Sequence, residues 1–176
     1  MLESTETSLV APYGGALIDL MAPANQAEDL RSEANKLPSI QISERVACDL
    51  ELMAVGGFSP LDRFMSKDDY QSVLDSMRLT EGALFPIPIT LPVGDDAEVS
   101  LDQRIALRDS RNNILAVMDV EEIFDWDLNE TSLKVFGTTD VRHPLVAEMH
   151  RWGARNISGA ITVLQLPGHP DCREIR

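Results

Sequence analysis

From Ser43 onward the apolar positions fall into helical step. Val46, Leu50 and Met53 recur at i, i+4 and i+7, with Ala47 and Ala54 beside them. This spacing predicts an amphipathic helix with Ser43 as its N-cap and Gly56 or Gly57 as its stop. A second helix is announced by Ser66 and Asp69, an S-x-x-D capping box, with Met65 and Tyr70 at the two positions of a hydrophobic staple. Its buried stripe is expected to be Tyr70, Val73, Leu74 and Met77. Between the two helices runs "GGFSPLDRFM" (56–65). Gly56 and Gly57 permit the positive φ that ends a helix, and Pro60 stiffens the connection. Phe58, Leu61, Phe64 and Met65 are expected to plug the corner, with Phe58 fully buried. The stretch reads as a packing hinge rather than a reaction centre.

Elsewhere the period changes. "LVAPYGGALIDLMAP" (9–23) reads as strand, turn and strand around Pro12 and the Gly14-Gly15 pair. "QAEDLRSEANKLP" (26–38) has helical propensity and ends at Pro38, after which Ile40 and Ile42 suggest a short strand. "FPIPITL" (85–91) sets Pro86 and Pro88 on one face against Ile87, Ile89 and Leu91 on the other, as at a sheet edge or in an irregular barrel. "QRIALRD" and "ILAVMDV" flank the turn-rich "SRNN" and predict a β-hairpin. "EEIFDWDLNETSLKVFG" (121–137) reads as helical up to Gly137. "HPLVAEMHRWG" (143–153) reads as a short helix with Pro144 at N1 and Gly153 as its stop, and "SGAITVLQLP" (158–167) as a final strand. Strands and helices do not alternate regularly. The expectation is therefore a single α+β domain over residues 1–176, with a twisted, barrel-like sheet, flanking short helices and a frayed segment at 1–8.

Composition narrows the functional classes. A chain of 176 residues, 44% hydrophobic, can bury a core without covalent staples. Cys48 and Cys172 form no disulfide framework or metal-type spacing, which suggests one buried and one exposed thiol in a reducing compartment. No secretory signal or membrane-length apolar run occurs, so a cytoplasmic protein without membrane partners is expected. The formal net charge of −14 argues against nucleic acid as a partner. That charge is uneven: residues 93–130 hold 11 acidic against 3 basic side chains, whereas 140–176 hold 4 against 5 and all three histidines. The near-neutral end, with Trp152 among Arg142, Arg151, Arg155, Arg173 and Arg176, is the expected partner surface.

No Walker loop, dinucleotide fingerprint or nucleophile elbow is present. His143 and His150 could share a helix face with Asp140, Glu148, His169 and Cys172 as companions, but a seven-residue step is wider than helical zinc sites use. His143 reads instead as a cap before Pro144. No catalytic, cofactor-binding or metal-ligating residue is assigned.

Five ordered stretches carry a family resemblance: "APYGGALIDL" (11–20), "CDLELMAVGGFSPLDRFM" (48–65), "FPIPITL" (85–91), "IALRD" (105–109) and "FGTTDVRHPLV" (136–146). Together they resemble the N-terminal, PUA-like domain of ATP sulfurylase (sulfate adenylyltransferase), over nearly the whole chain. Tyr13 departs from the histidine usual in the family, and Arg63 from a glycine. The resemblance implies a PUA-like pseudobarrel. It also implies a parent reaction in which ATP and sulfate give adenylylsulfate and pyrophosphate, with Mg2+ on the nucleotide. The family's QxRNP-, HxxH- and GRD-type motifs, which belong to a following catalytic domain, do not occur in this chain; "ARNIS" (154–158) lacks the glutamine and proline. Three readings stay open: a non-catalytic scaffold for a catalytic sulfurylase domain in cis or trans, a stand-alone PUA-like binding module, and an interaction domain that sets homo-oligomeric contacts.

Overall fold

The computed structural model of the chain describes residues 10–168; residues 1–8, His169, Cys172, Arg173 and Arg176, named above, lie outside that range. Five strands form one mixed sheet in the order β1-β3-β4-β5-β2. They are β1 (Ser39–Gln41), β2 (Leu91–Val93), β3 (Arg104–Arg108), β4 (Ile114–Asp125) and β5 (Arg155–Val163). β1 runs parallel to β3, and every other pairing is antiparallel. The sheet curls into an open half-barrel, as expected of an α+β fold. Its two edge strands line a common gap of about 280 Å³ through Ser39, Ile40 and Gln41 on one side and Pro92, Val93 and Gly94 on the other.

Five helices dress the sheet: α1 (Ala27–Ala34), α2 (Glu44–Ala54), α3 (Lys67–Ser76), α4 (Leu128–Phe136) and α5 (Pro144–Met149). The main core lies inside the curl, where α2 and α3 meet Ile105, Leu107, Met118 and Ile157. The other face of β3 and β4 presents Ala106, Ile114 and Val117 to Ala34 and Leu30 of α1. β3 and the first half of β4 are thus buried on both faces, which is why those strands read as unbroken apolar runs.

Both predicted helix starts are present. The Ser43 hydroxyl accepts from the Val46 amide and the Ser66 hydroxyl from the Asp69 amide. Val46, Ala47, Leu50, Met53 and Ala54 are all buried, as their spacing requires. The Asp69 carboxylate reaches back to the Ser66 hydroxyl through Oδ2 at 3.4 Å, while its Oδ1 accepts from the Thr80 amide and hydroxyl.

Several expectations need correction. Met77 does not extend the α3 stripe: it is the left-handed C-cap and is 55% exposed. Residues 9–23 do not pair as two strands. The described part forms an extended strap whose Leu20 amide bonds to the Ala54 carbonyl, while its Leu20 carbonyl and Ala22 amide bond to Val163. Those partners sit at the ends of different elements, so no ladder develops beyond the Met21–Val163 bridge. Residues 121–125 are strand rather than helix, continuing β4 beyond a bulge at Val120/Glu122 to pair with residues 155–158. α5 ends at Met149, before Gly153, and β5 begins at Arg155 rather than Ser158. Of "FPIPITL", only Leu91 enters the edge strand β2. Of the two thiols, Cys48 is exposed, because it lies off the Val46–Leu50–Met53 stripe of α2, and Cys172 is outside the described residues.

Candidate functional site

Two places concentrate the chain's unusual residues, and the first is the hinge. Leu61, Phe64 and Met65 are buried, whereas Phe58 is only half-buried and meets Phe85 edge-on at 6.0 Å. What holds the corner is polar. The buried Ser59 hydroxyl accepts from the Ile18 amide at 2.9 Å and donates to the Gly56 carbonyl at 2.8 Å, clamping the strap onto the helix end. Gly56 has φ 79°, and a Cβ there would lie 2.5 Å from a Leu17 methyl, so the strap needs glycine at this crossing. The Ser158 hydroxyl donates to the Phe64 carbonyl (2.6 Å), and the Met65 amide donates to the Ile89 carbonyl, pinning the far end. Both departures from the family pattern make contacts here. The Tyr13 hydroxyl donates to the Leu84 carbonyl, and Arg63 bridges Asp62 and Glu121, tying the loop to β4. The hinge is a structural joint, as its sequence suggests, although Ser59 contributes more and Phe58 less than the pattern alone implied.

The second place is a largely apolar cleft of about 290 Å³ where α2, α3, α4, α5 and the segment before β2 converge. Ile87, Pro88, Val135, Phe136, Leu145 and Met149 form much of its wall. Trp126 and Trp152 stand at one side with ring centres 5.8 Å apart and planes inclined at 46°. The Trp126 indole N–H donates to the Gly153 carbonyl at 2.6 Å, and the Arg45 guanidinium lies 4.3 Å from the Trp152 ring centre. Arg45 is paired with Asp49 at 2.6 Å, one turn along α2, and donates to the Thr90 carbonyl at 3.1 Å. Burial lowers the Arg45 pKa, opposed by Asp49 and Glu148, and burial raises the Asp49 pKa, opposed by Arg45. The Tyr70 hydroxyl donates to Thr131 at 2.5 Å, and the Thr131 hydroxyl donates in turn to the Asp127 carbonyl at 2.6 Å. Three of the five resemblance stretches contribute walls: Asp49 from the second, Ile87 to Thr90 from the third, and Phe136 with Leu145 from the fifth. Sequence reasoning missed this cleft, because it is assembled from five separate segments and carries no local motif.

Among the described residues, His143 and His150 belong to no ligand set. His143 occupies the N-cap position of α5 by backbone, but its side chain makes no capping hydrogen bond; the ring stacks on Phe136 at 4.7 Å. Among the described residues, no group of three or more His, Cys, Asp or Glu side chains could hold a metal ion. Of the expected basic partner surface, Arg173 and Arg176 lie outside the described residues. Arg142 pairs with Asp140, Arg155 donates to the Gly94 and Ala97 carbonyls, and Trp152 is half-buried in the cleft wall. Among the described residues, no helix is long and apolar enough to cross a membrane.

A family model described as "PUA-like domain" matches residues 10–166, nearly all of the described chain. The chain belongs to the PUA-like domain family. Its relatives narrow the branch. A sulfate adenylyltransferase of Synechococcus sp. (strain JA-3-3Ab) is 39% identical over 165 residues, covering 92% of this chain and 42% of that protein. One from Mycosarcoma maydis is 40% identical over 174 residues, covering 94% and 30%. The solved structure of a hexameric APS kinase from Thiobacillus denitrificans superposes with a TM-score of 0.72 at 30% identity, over 96% of this chain and 29% of the other. This PUA-like domain therefore spans less than half the length of these sulfate adenylyltransferase relatives, and the sequence resemblance to their N-terminal domain holds.

Proposed function

We propose that this PUA-like domain is the non-catalytic scaffold of a sulfate adenylyltransferase, mounting a catalytic domain carried in the same or a separate polypeptide. The observation that carries this reading is the coverage: 92% of this chain aligns to only 42% of a sulfate adenylyltransferase. In the parent reaction, a sulfate oxygen attacks the α-phosphorus of ATP and pyrophosphate leaves. In this reading the steps of that reaction belong to the catalytic domain and none is assigned to a residue of this one. The domain's own contribution is rigidity: a curled sheet, a clamped strap and a hinge pinned at both ends. Homo-oligomerisation belongs to the same proposal, since the solved relative of similar fold is hexameric.

Pyrophosphate release with ATP, Mg2+ and sulfate tests the reading. The chain alone is expected to be inactive, and a catalytic sulfurylase domain supplied in cis or trans is expected to restore turnover. Turnover by the chain alone at the level of a complete enzyme would refute the proposal.

A further inference from the structure

We propose that the two-tryptophan cleft is a binding site for a neutral, planar aryl amide or lactam, a ligand class outside the sulfurylase reaction. The inference goes beyond the scaffold role and does not depend on it. The cleft's volume of about 290 Å³ sits at the small end of ligand sites, matching one or two fused rings with a small substituent. Its aromatic wall is set in advance. The Gly153 carbonyl fixes the Trp126 ring, and the Arg45 guanidinium packs against Trp152. A flat ring stacks there with little side-chain ordering left to lose. The mouth carries Ile87 and Leu145, 49% and 42% exposed, so the opening itself is apolar.

The polar end selects the substituent. Arg45 engages Asp49 through Nη1 and Thr90 through Nη2, and each of these nitrogens carries a second N–H. A guanidinium has five N–H donors, so donor capacity remains beside the Asp49 carboxylate, which can accept more than one hydrogen bond. Donor and acceptor side by side match the edge of an amide, C=O next to N–H. The charge does not favour an anion at this place, because the Arg45 cation is already paired with Asp49 at 2.6 Å. A free cation would have to compete with Arg45 for both Asp49 and the Trp152 face. The Tyr70 and Thr131 protons are both committed, to Thr131 and to the Asp127 carbonyl, which leaves the Arg45–Asp49 edge as the place where a donor and an acceptor stand side by side.

The chain's two tryptophans both line this cleft, so intrinsic fluorescence reports it directly. Benzamide, benzoate and benzamidine share one ring and differ in the charge of the edge. Titrated into the full chain, with calorimetry alongside, benzamide is expected to give a saturable fluorescence change with a Kd in the millimolar range or tighter. The two charged analogues are expected to bind at least about tenfold more weakly. Leu145→Trp, which plugs the mouth from an exposed position, should abolish binding with an unchanged thermal melt. Arg45→Met should weaken benzamide by about tenfold or more. No saturable response, equal binding of benzoate, or full binding by the Leu145→Trp variant would each overturn the assignment.

Discussion

Replacing Ser59 by alanine removes one oxygen and, with it, the clamp between the strap and the hinge. The Ile18 amide loses its acceptor at 2.9 Å and the Gly56 carbonyl loses a donor at 2.8 Å. Two hydrogen bonds at about 0.5–1.5 kcal/mol each place the cost at about 1–3 kcal/mol, the upper end applying if water cannot reach the stranded groups. Phe58→Ala is expected to cost a similar amount, about 1.5–3 kcal/mol, because its ring is half-buried and shares one edge-on contact with Phe85. Phe64 has no exposed surface, so Phe64→Ala should cost about 3–5 kcal/mol. Urea unfolding followed by far-ultraviolet circular dichroism measures all three, with the m-value checking that the unfolded state is unchanged. Tryptophan emission is the poorer probe here, since both indoles line the cleft rather than the hinge. A Ser59→Ala variant within about 0.5 kcal/mol of wild type, the range of an ordinary surface change, would show that the hydroxyl is no clamp. A Phe58→Ala cost matching that of Phe64→Ala would contradict the half-burial of the Phe58 ring.

Gly153→Ala should be severe, because a Cβ would stand 1.5 Å from the Val93 carbonyl oxygen, a backbone atom that cannot swing aside. Loss of soluble protein or a melt lowered by more than about 10 °C is expected, and an unchanged melt would refute the packing argument. At Asp109, burial raises the pKa but hydrogen bonds from Asn113 and the Arg111 amide outweigh it, leaving a net lowering. A carboxyl with a lowered folded pKa stabilises above its unfolded value of 3.8 and loses that contribution as pH falls through the folded value. Asp109→Ala should therefore destabilise at neutral pH, and the gap to wild type should narrow below about pH 4, read from urea midpoints across pH; a gap constant with pH would contradict this. With a net charge of −14 and 5% aromatic residues, the chain should show no measurable RNA binding at physiological salt. A micromolar, salt-sensitive complex would instead favour a stand-alone binding module.

Much of the architecture was readable where the signal was local. The caps at Ser43 and Ser66, the α2 stripe and the β3–β4 hairpin each depend on residues a few positions apart, and each formed as its spacing required. The misreadings share a different cause. Glu121 to Asp125 have mixed propensity, and their pairing with residues 155–158 some thirty positions away decides that they are strand. The strap alternates like a strand, yet its hydrogen bonds go to Ala54 and Val163, which no local pattern reveals. Ser59 reads as an ordinary turn serine until Ile18, 41 residues earlier, is placed against it. The cleft is the extreme case, built from side chains between positions 45 and 152 that share no motif.

The open seam of the half-barrel bears on how such a sheet avoids recruiting further strands. A curl that stops short of closure leaves two strands with unpaired backbone, the geometry through which sheets recruit further strands and aggregate. Both edges here are only three residues long, too short to template an extended ladder. The β2 edge carries Pro92, which has no amide hydrogen to donate. Beside the seam lie Asp96 and Glu98, in the acidic stretch 93–130, so an approaching strand meets like charge as well as a missing donor. The acidic middle of the sequence thereby acquires a physical use, as an electrostatic guard over the one place where this barrel is unfinished.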